Sequence, residues 1–197
     1  MIGGLATAPA DSPERPRSWT RTLAPIALVS APVTILDQLS KQYVSGHFRL
    51  YQMRPIVPGW LDLTYTLNPG AAFSMFATMP AGFRASFFVV LSAIAIAVLT
   101  ALIVRRSTTR LSAIAFALVL GGTIGNLIDR LARGLVIDFI YFHHEAFRYP
   151  VFNIADSAIT VGVAIILLDS WRDGRKAAAD AHQTHAENPD PATSARV

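Results

Sequence analysis

Four long apolar runs organise the chain. The first extends from Leu23 to about Val44 and is interrupted by Pro25, Pro32, Asp37 and Lys41. The second, Phe83 to Val104, is continuous, and the third runs from Leu111 to about Leu131. The fourth spans Ile154 to about Trp171. Each has roughly the 20 residues that a helix needs to cross a bilayer. Between runs one and two the pattern changes. Over Leu61–Asn68 apolar and polar residues alternate with period two, the mark of a half-buried strand. Phe48 to Val57 is its expected partner, with Pro58-Gly59 as the turn. Residues 139–149 are aromatic and predict an interfacial segment, read as a short helix. The pattern predicts an α-helical integral membrane protein. It has four transmembrane helices and a small external β-sheet between spans one and two.

Composition agrees. Of 197 residues, 52% are hydrophobic and 15% charged, with a mean hydropathy of +0.41. A soluble domain carries about 25% charged residues. Residues 1–20 read as a disordered basic lead, 21–172 as the membrane domain and 173–197 as a disordered tail. No internal repeat is visible. The net charge of +4 and pI near 9.8 do not point to nucleic acid, because the arginines cluster beside the apolar runs. Arg15, Arg17 and Arg21 precede run one, Arg105, Arg106 and Arg110 join runs two and three, and Arg172, Arg175 and Lys176 follow run four. Placing all three clusters in the cytoplasm gives an N-in, C-in topology. Run one also admits a signal-peptide reading with cleavage after Val29-Ser30-Ala31, which Pro32 directly after the cut disfavours. The sequence has no cysteine, which excludes disulfides, thiolate metal sites, a cysteine nucleophile and lipidation of this chain on cysteine.

This topology gathers the polar residues of the apolar runs at the outer face. Asp138 and Asp156 flank one external connection. Two carboxylates in a confined site share a proton, so one can activate water while the other serves as acid. Two interfacial aspartates, with Asp156 favouring the start of a helix, are the alternative. Asn126, Asp129 and Arg130 share one helical face, either as site residues or as a polar network joining helices. Asp37 and Lys41, at i and i+4, form either a local ion pair or part of the site. Gly121, Gly122 and Gly125 permit close helix packing. Asn68-Pro69-Gly70 reads as a turn or as a close backbone approach. His143-His144-Glu145 lacks metal-ligand spacing, and no metal or cofactor is expected.

Four blocks carry a resemblance. They are Asp37-Gln38-Leu39-Ser40-Lys41, Asn68-Pro69-Gly70-Ala71-Ala72-Phe73-Ser74, Gly121 through Phe139, and Phe152-Asn153-Ile154-Ala155-Asp156-Ser157-Ala158-Ile159. In this order they resemble the lipoprotein signal peptidases, the type II signal peptidases of bacteria, over about residues 23–171. The resemblance implies an intramembrane aspartyl protease of the cytoplasmic (inner) membrane, with its active site near the outer face. Its substrates would be diacylglyceryl-modified prolipoproteins, reached among membrane lipids and cut just before the lipidated cysteine. Asp138 and Asp156 would be the catalytic dyad. Asn68, Asn126, Arg130 and Asn153 would line the site or place the substrate, and Gly122 belongs to the same motif. Asp37, Lys41 and Asp129 would support the architecture. The external sheet would form a cradle, and globomycin-like cyclic peptides would inhibit. A proton-coupled transporter and a non-catalytic membrane scaffold are the competing functions.

Overall fold

The computed structural model describes residues 24–70, 80–104 and 109–187. The basic lead, residues 71–74 of the second block and the Arg105-Arg106 pair lie outside the described residues. Helix α1 (Ala31–His47) is preceded by a π-helical stretch, Ile26–Ser30. The cause is local. Pro32 has no N–H to donate, and the Ala31 N–H reaches five residues back to the Ile26 carbonyl. Helices α2 (Ala81–Val104), α3 (Arg110–Arg133) and α4 (Ile154–Glu187) complete the helical set among the described residues. Among the described residues, three helical segments are long and apolar enough to cross a membrane: Gly82–Val104, Arg110–Arg133 and Ile154–Ala179. Helix α1 adds a shorter, more polar one that holds Asp37 and Lys41 buried.

Helix ends follow ordinary chemistry. Thr109 caps α3 by accepting the Ser112 N–H at 3.0 Å. Gly134, at φ 71°, closes α3 by donating its N–H to the Arg130 carbonyl. Helix α4 runs past Asp173, where the sequence predicts the start of a disordered tail, as far as Glu187. The Ala-rich stretch 176–181 has high helix propensity and extends a helix already nucleated by packing.

The sheet is antiparallel, in the order β1 (Met53–Val57), β2 (Leu61–Asn68), β3 (Val136–His144), β4 (Phe147–Arg148). Only β1 and β2 come from the connection between the first two runs. Strands β3 and β4 fall in residues 136–148, so the sheet is not confined to one loop, and residues 139–149 contain no helix. The residues of β3 are mostly β-branched or aromatic, and β2 offers them a pairing edge. The register sets Thr66 opposite Asp138 and Asn68 opposite Val136.

Two apolar clusters hold the assembly. Val44, Phe48, Ile137 and Phe139 pack the sheet onto the end of α1. Leu99, Ile103, Ala117 and Leu120 join α2 to α3. On the outside, Ile35, Leu36, Leu39, Val90, Ile94, Val98, Val161, Leu167 and Leu168 are all exposed. An apolar helical exterior around buried charges is the arrangement hydrocarbon requires. At one end of α3, Thr109 and Ser112 donate their hydroxyls to Asp169 of α4, tying the two helices there.

Candidate active site

The site forms where the other end of α3, the start of α4 and strands β2 and β3 meet. Asn68, Asn126, Arg130, Asp138 and Asp156 line one cavity of about 770 Å³, together with Thr66 and Phe88. Strand pairing delivers two of these residues. Asn68 donates from Nδ2 to Asp138 Oδ2 at 2.9 Å, while its Oδ1 accepts the Gly70 N–H at 3.0 Å. The turn after β2 therefore fixes which end of the Asn68 amide faces Asp138.

Asp156 is held by its own helix. Asn153 precedes α4, and its Oδ1 accepts the Asp156 N–H at 2.9 Å. The Asn153 N–H in turn donates to Asp156 Oδ2 at 3.2 Å. This is a reciprocal capping box, with Asn and Asp in place of the usual pair. The other oxygen, Oδ1, accepts from Asn126 Nδ2 at 2.8 Å.

Asn153 also connects the two aspartates. Fully buried, it donates from Nδ2 to Asp138 Oδ1 at 2.6 Å, and approaches Asn126 Oδ1 at 3.2 Å. Two asparagines thus bridge Asp138 and Asp156. The sequence brackets these aspartates around one connection, and the structure brings both to one cavity. Asp138 is only 2% exposed. Burial, followed by the nearby Asp156 carboxylate, pushes its pKa up to about 7, against hydrogen bonds from Asn68 and Asn153 and the Lys41 charge. A carboxyl group so poised can hold or release a proton near neutral pH.

Arg130 lies in the same cavity, its guanidinium 5.0 Å from the Phe88 ring centre and its Nη1 donating to the Asn126 carbonyl at 3.4 Å. Gly122 sits at the α3–α4 crossing, where a Cβ would collide with the Ala155 carbonyl and Ile159. Asp37, Lys41 and Asp129 are buried beside the site, with Lys41 Nζ 2.8 Å from Asp37 and 3.1 Å from Asp129. His143 pairs with Asp62 at 3.1 Å, and His144 stacks on Trp60.

Several contributors escape sequence reasoning. Thr66 donates to the Asp138 carbonyl at 3.1 Å, Gln38 donates to the Gly125 carbonyl at 3.0 Å, and Arg133 pairs with Asp129 at 2.8 Å. Thr66 could be found as the neighbour two residues before Asn68 on the same strand face. Arg133 stands at i+4 from Asp129. Gln38 carries no such signal, because its partner lies 87 residues away.

Comparison with known proteins identifies the family. The family described as signal peptidase (SPase) II matches residues 29–172. The lipoprotein signal peptidase of Syntrophotalea carbinolica is 41% identical over 150 residues, covering 76% of this chain and 92% of the relative. That of Yersinia enterocolitica is 45% identical over 141 residues, covering 71% and 82%. A bacterial membrane enzyme solved by the in meso method at 2.3 Å resolution superimposes with a TM-score of 0.71 at 27% identity, over 77% of this chain and 90% of that one. At this identity and coverage the chain belongs to the signal peptidase II family, bacterial membrane proteases that remove signal peptides from prolipoproteins.

Proposed function

We propose that this protein is an aspartyl endopeptidase in which Asp138 and Asp156 form the catalytic dyad. The observation that carries the reading is the asparagine bridge: Asn153 and Asn126 hold both carboxylates at one cavity. Asp156 acts as base on a water molecule between the two carboxylates. It accepts N–H bonds on both oxygens and sits in the first turn of α4, where the helix dipole favours negative charge. Asp138 holds the proton. As the water oxygen bonds to the scissile carbonyl carbon, Asp156 takes the water proton and Asp138 gives its own to the carbonyl oxygen. A gem-diol results. Asp156 then passes its proton to the amide nitrogen, the C–N bond breaks, and one diol hydroxyl returns its proton to Asp138. A carboxylic acid and an amine leave, and the dyad is back in its starting protonation state. No covalent intermediate is needed.

The substrate we assign is a prolipoprotein bearing a diacylglyceryl group on cysteine, cut just before that cysteine. Such a substrate keeps its acyl chains in the bilayer and its peptide at the interface. The cavity suits both halves, with Phe88, Leu91 and Ile159 among its apolar lining and Asn68, Asn126 and Arg130 among its polar lining. In this reading α1 with its π-helical lead is a fourth span, both termini are cytoplasmic, and the site opens near the outer face of the cytoplasmic membrane. A globomycin-like cyclic peptide would compete for the same cavity.

The experiment is cleavage of a diacylglyceryl-modified prolipoprotein by the purified full chain in detergent. Wild type should release the signal peptide, and folded Asp138→Asn and Asp156→Asn should not. Cleavage that survives either substitution would overturn the dyad.

A further inference from the structure

One buried charge has no part in the bond-breaking steps. Lys41 is 1% exposed, in helix α1, and its ammonium has three N–H donors. It meets three acceptors: Asp37 Oδ2 at 2.8 Å, Asp129 Oδ2 at 3.1 Å and Asn126 Oδ1 at 2.9 Å. Each of these partners reaches an aspartate of the dyad or the residue just before one. Asp37 Oδ1 accepts the N–H of Ala155, the residue before Asp156, at 2.9 Å. Asp129 Oδ2 accepts the N–H of Ile137, the residue before Asp138, at 3.1 Å. Asn126 donates to Asp156 itself.

We infer that Lys41 is a positioning residue for the dyad, orienting the Asn126 amide and tying together the two carboxylates that anchor Ile137 and Ala155. The inference rests on the dyad reading above. With the ammonium on Oδ1, the amide presents Nδ2 to Asp156. A flipped amide would set oxygen against carboxylate oxygen and withdraw the hydrogen bond. Electroneutrality alone does not account for the arrangement. Asp129 is already paired with Arg133, and a buried ion pair is often replaceable by well-packed apolar residues with no loss of stability. Asn153 Nδ2 also approaches Asn126 Oδ1, at 3.2 Å, but Lys41 is the closer and the charged donor, and an apolar replacement supplies none in its place.

The test uses the full chain in detergent and the prolipoprotein cleavage assay. Asp37→Asn/Lys41→Met removes one buried charge of each sign, and Asp37→Asn alone is its reference. Relative to that reference the double variant should lose about 100-fold in kcat, the scale of one misplaced active-site donor, with KM unchanged within about threefold. Adding Asn126→Ala should cost nothing further, since Lys41 acts through Asn126. Asp37→Asn/Lys41→Gln, which keeps a neutral N–H donor, should recover part of kcat. Unchanged kcat in the double variant overturns the inference, and so does a loss that multiplies with that of Asn126→Ala. If the double variant does not fold, the wild type decides by NMR with 15N-asparagine labelling. Asn126 side-chain amide protons close to the Asp156 β-protons support the inference, whereas contact with the Lys41 ε-methylene overturns it. Asp138→Asn and Asp156→Asn are assayed alongside. Activity in either sinks the dyad reading itself, whereas inactivity in both with an intact Lys41 variant sinks only this inference.

Discussion

Asn153 both caps the helix that carries Asp156 and donates its side-chain N–H to Asp138 at 2.6 Å. The two roles use different atoms, so substitution can separate them. Serine retains an oxygen able to cap α4 but has no amide to reach Asp138. Asn153→Ser should cost about 1–3 kcal/mol of stability, because the buried Ile137 carbonyl and Asp138 Oδ1 lose a donor, and should lose about 100-fold in kcat. Asn153→Ala should show the same kinetic loss plus about 1 kcal/mol of further destabilisation from the missing cap. Thermal unfolding in detergent beside the cleavage assay reads both. Full activity in the serine variant would show that the bridge to Asp138 is dispensable.

The raised pKa of Asp138 gives a pH dependence with a definite sign. In the mechanism above Asp138 must be protonated, so kcat/KM should fall as pH rises through about 7, with the slope of one proton. Stability should follow. In the folded protein Asp138 keeps its proton up to about pH 7, whereas in the unfolded chain it loses it near the ordinary value of 3.8. Between those limits the folded state binds more protons, and unfolding free energy decreases as pH rises. The contribution is present in full below the lower limit and lost through the upper one. Unfolding midpoints of wild type and Asp138→Asn across this window provide the check. The variant should lack the decline, and identical slopes in the two proteins would remove Asp138 as its source.

The sequence makes some of this legible and conceals the rest for physical reasons. The apolar runs announce α2, α3 and α4 because helices facing hydrocarbon need no polar stripe. Strand β2 is visible because one of its faces packs on Val44 and Phe48 while Thr66 and Asn68 on the other reach the cavity, producing alternation. Strand β3 is hidden because Val136, Ile137, Asp138 and Phe139 are all buried, so its apolar run has no period that distinguishes strand from helix. The proximity of Asp138 and Asp156 is readable from the short connection they bracket. The bridging role of Asn153 is not, since it depends on a side-chain amide crossing from the start of α4 to β3. The triple contact of Lys41 is hidden for a similar reason, with Asn126 lying 85 residues away in sequence.

Gly122 lies in the seam between α3 and α4, against Ala155 and Ile159. A Cβ there would strike the Ala155 backbone carbonyl, and the Ile159 side chain would lie at 2.8 Å. The backbone carbonyl cannot rotate away, so α4 must move, and with it Asp156, the residue after Ala155. Gly122→Ala should cost about 1–3 kcal/mol, as over-packing of a tight core does, and should lower kcat by loosening the 2.8 Å bond between Asn126 and Asp156. Gly46 is the matched control. It lies in the last turn of α1, is exposed, and a methyl group added there would meet nothing within 4 Å. Gly46→Ala should leave cleavage unchanged and raise stability by up to about 1 kcal/mol, because alanine restricts the unfolded chain. Unfolding and cleavage assays on the two variants separate steric contact from helix propensity. If Gly122→Ala behaved like Gly46→Ala, the α3–α4 seam would have room to spare, and the close crossing could not be what holds Asp156 against Asn126.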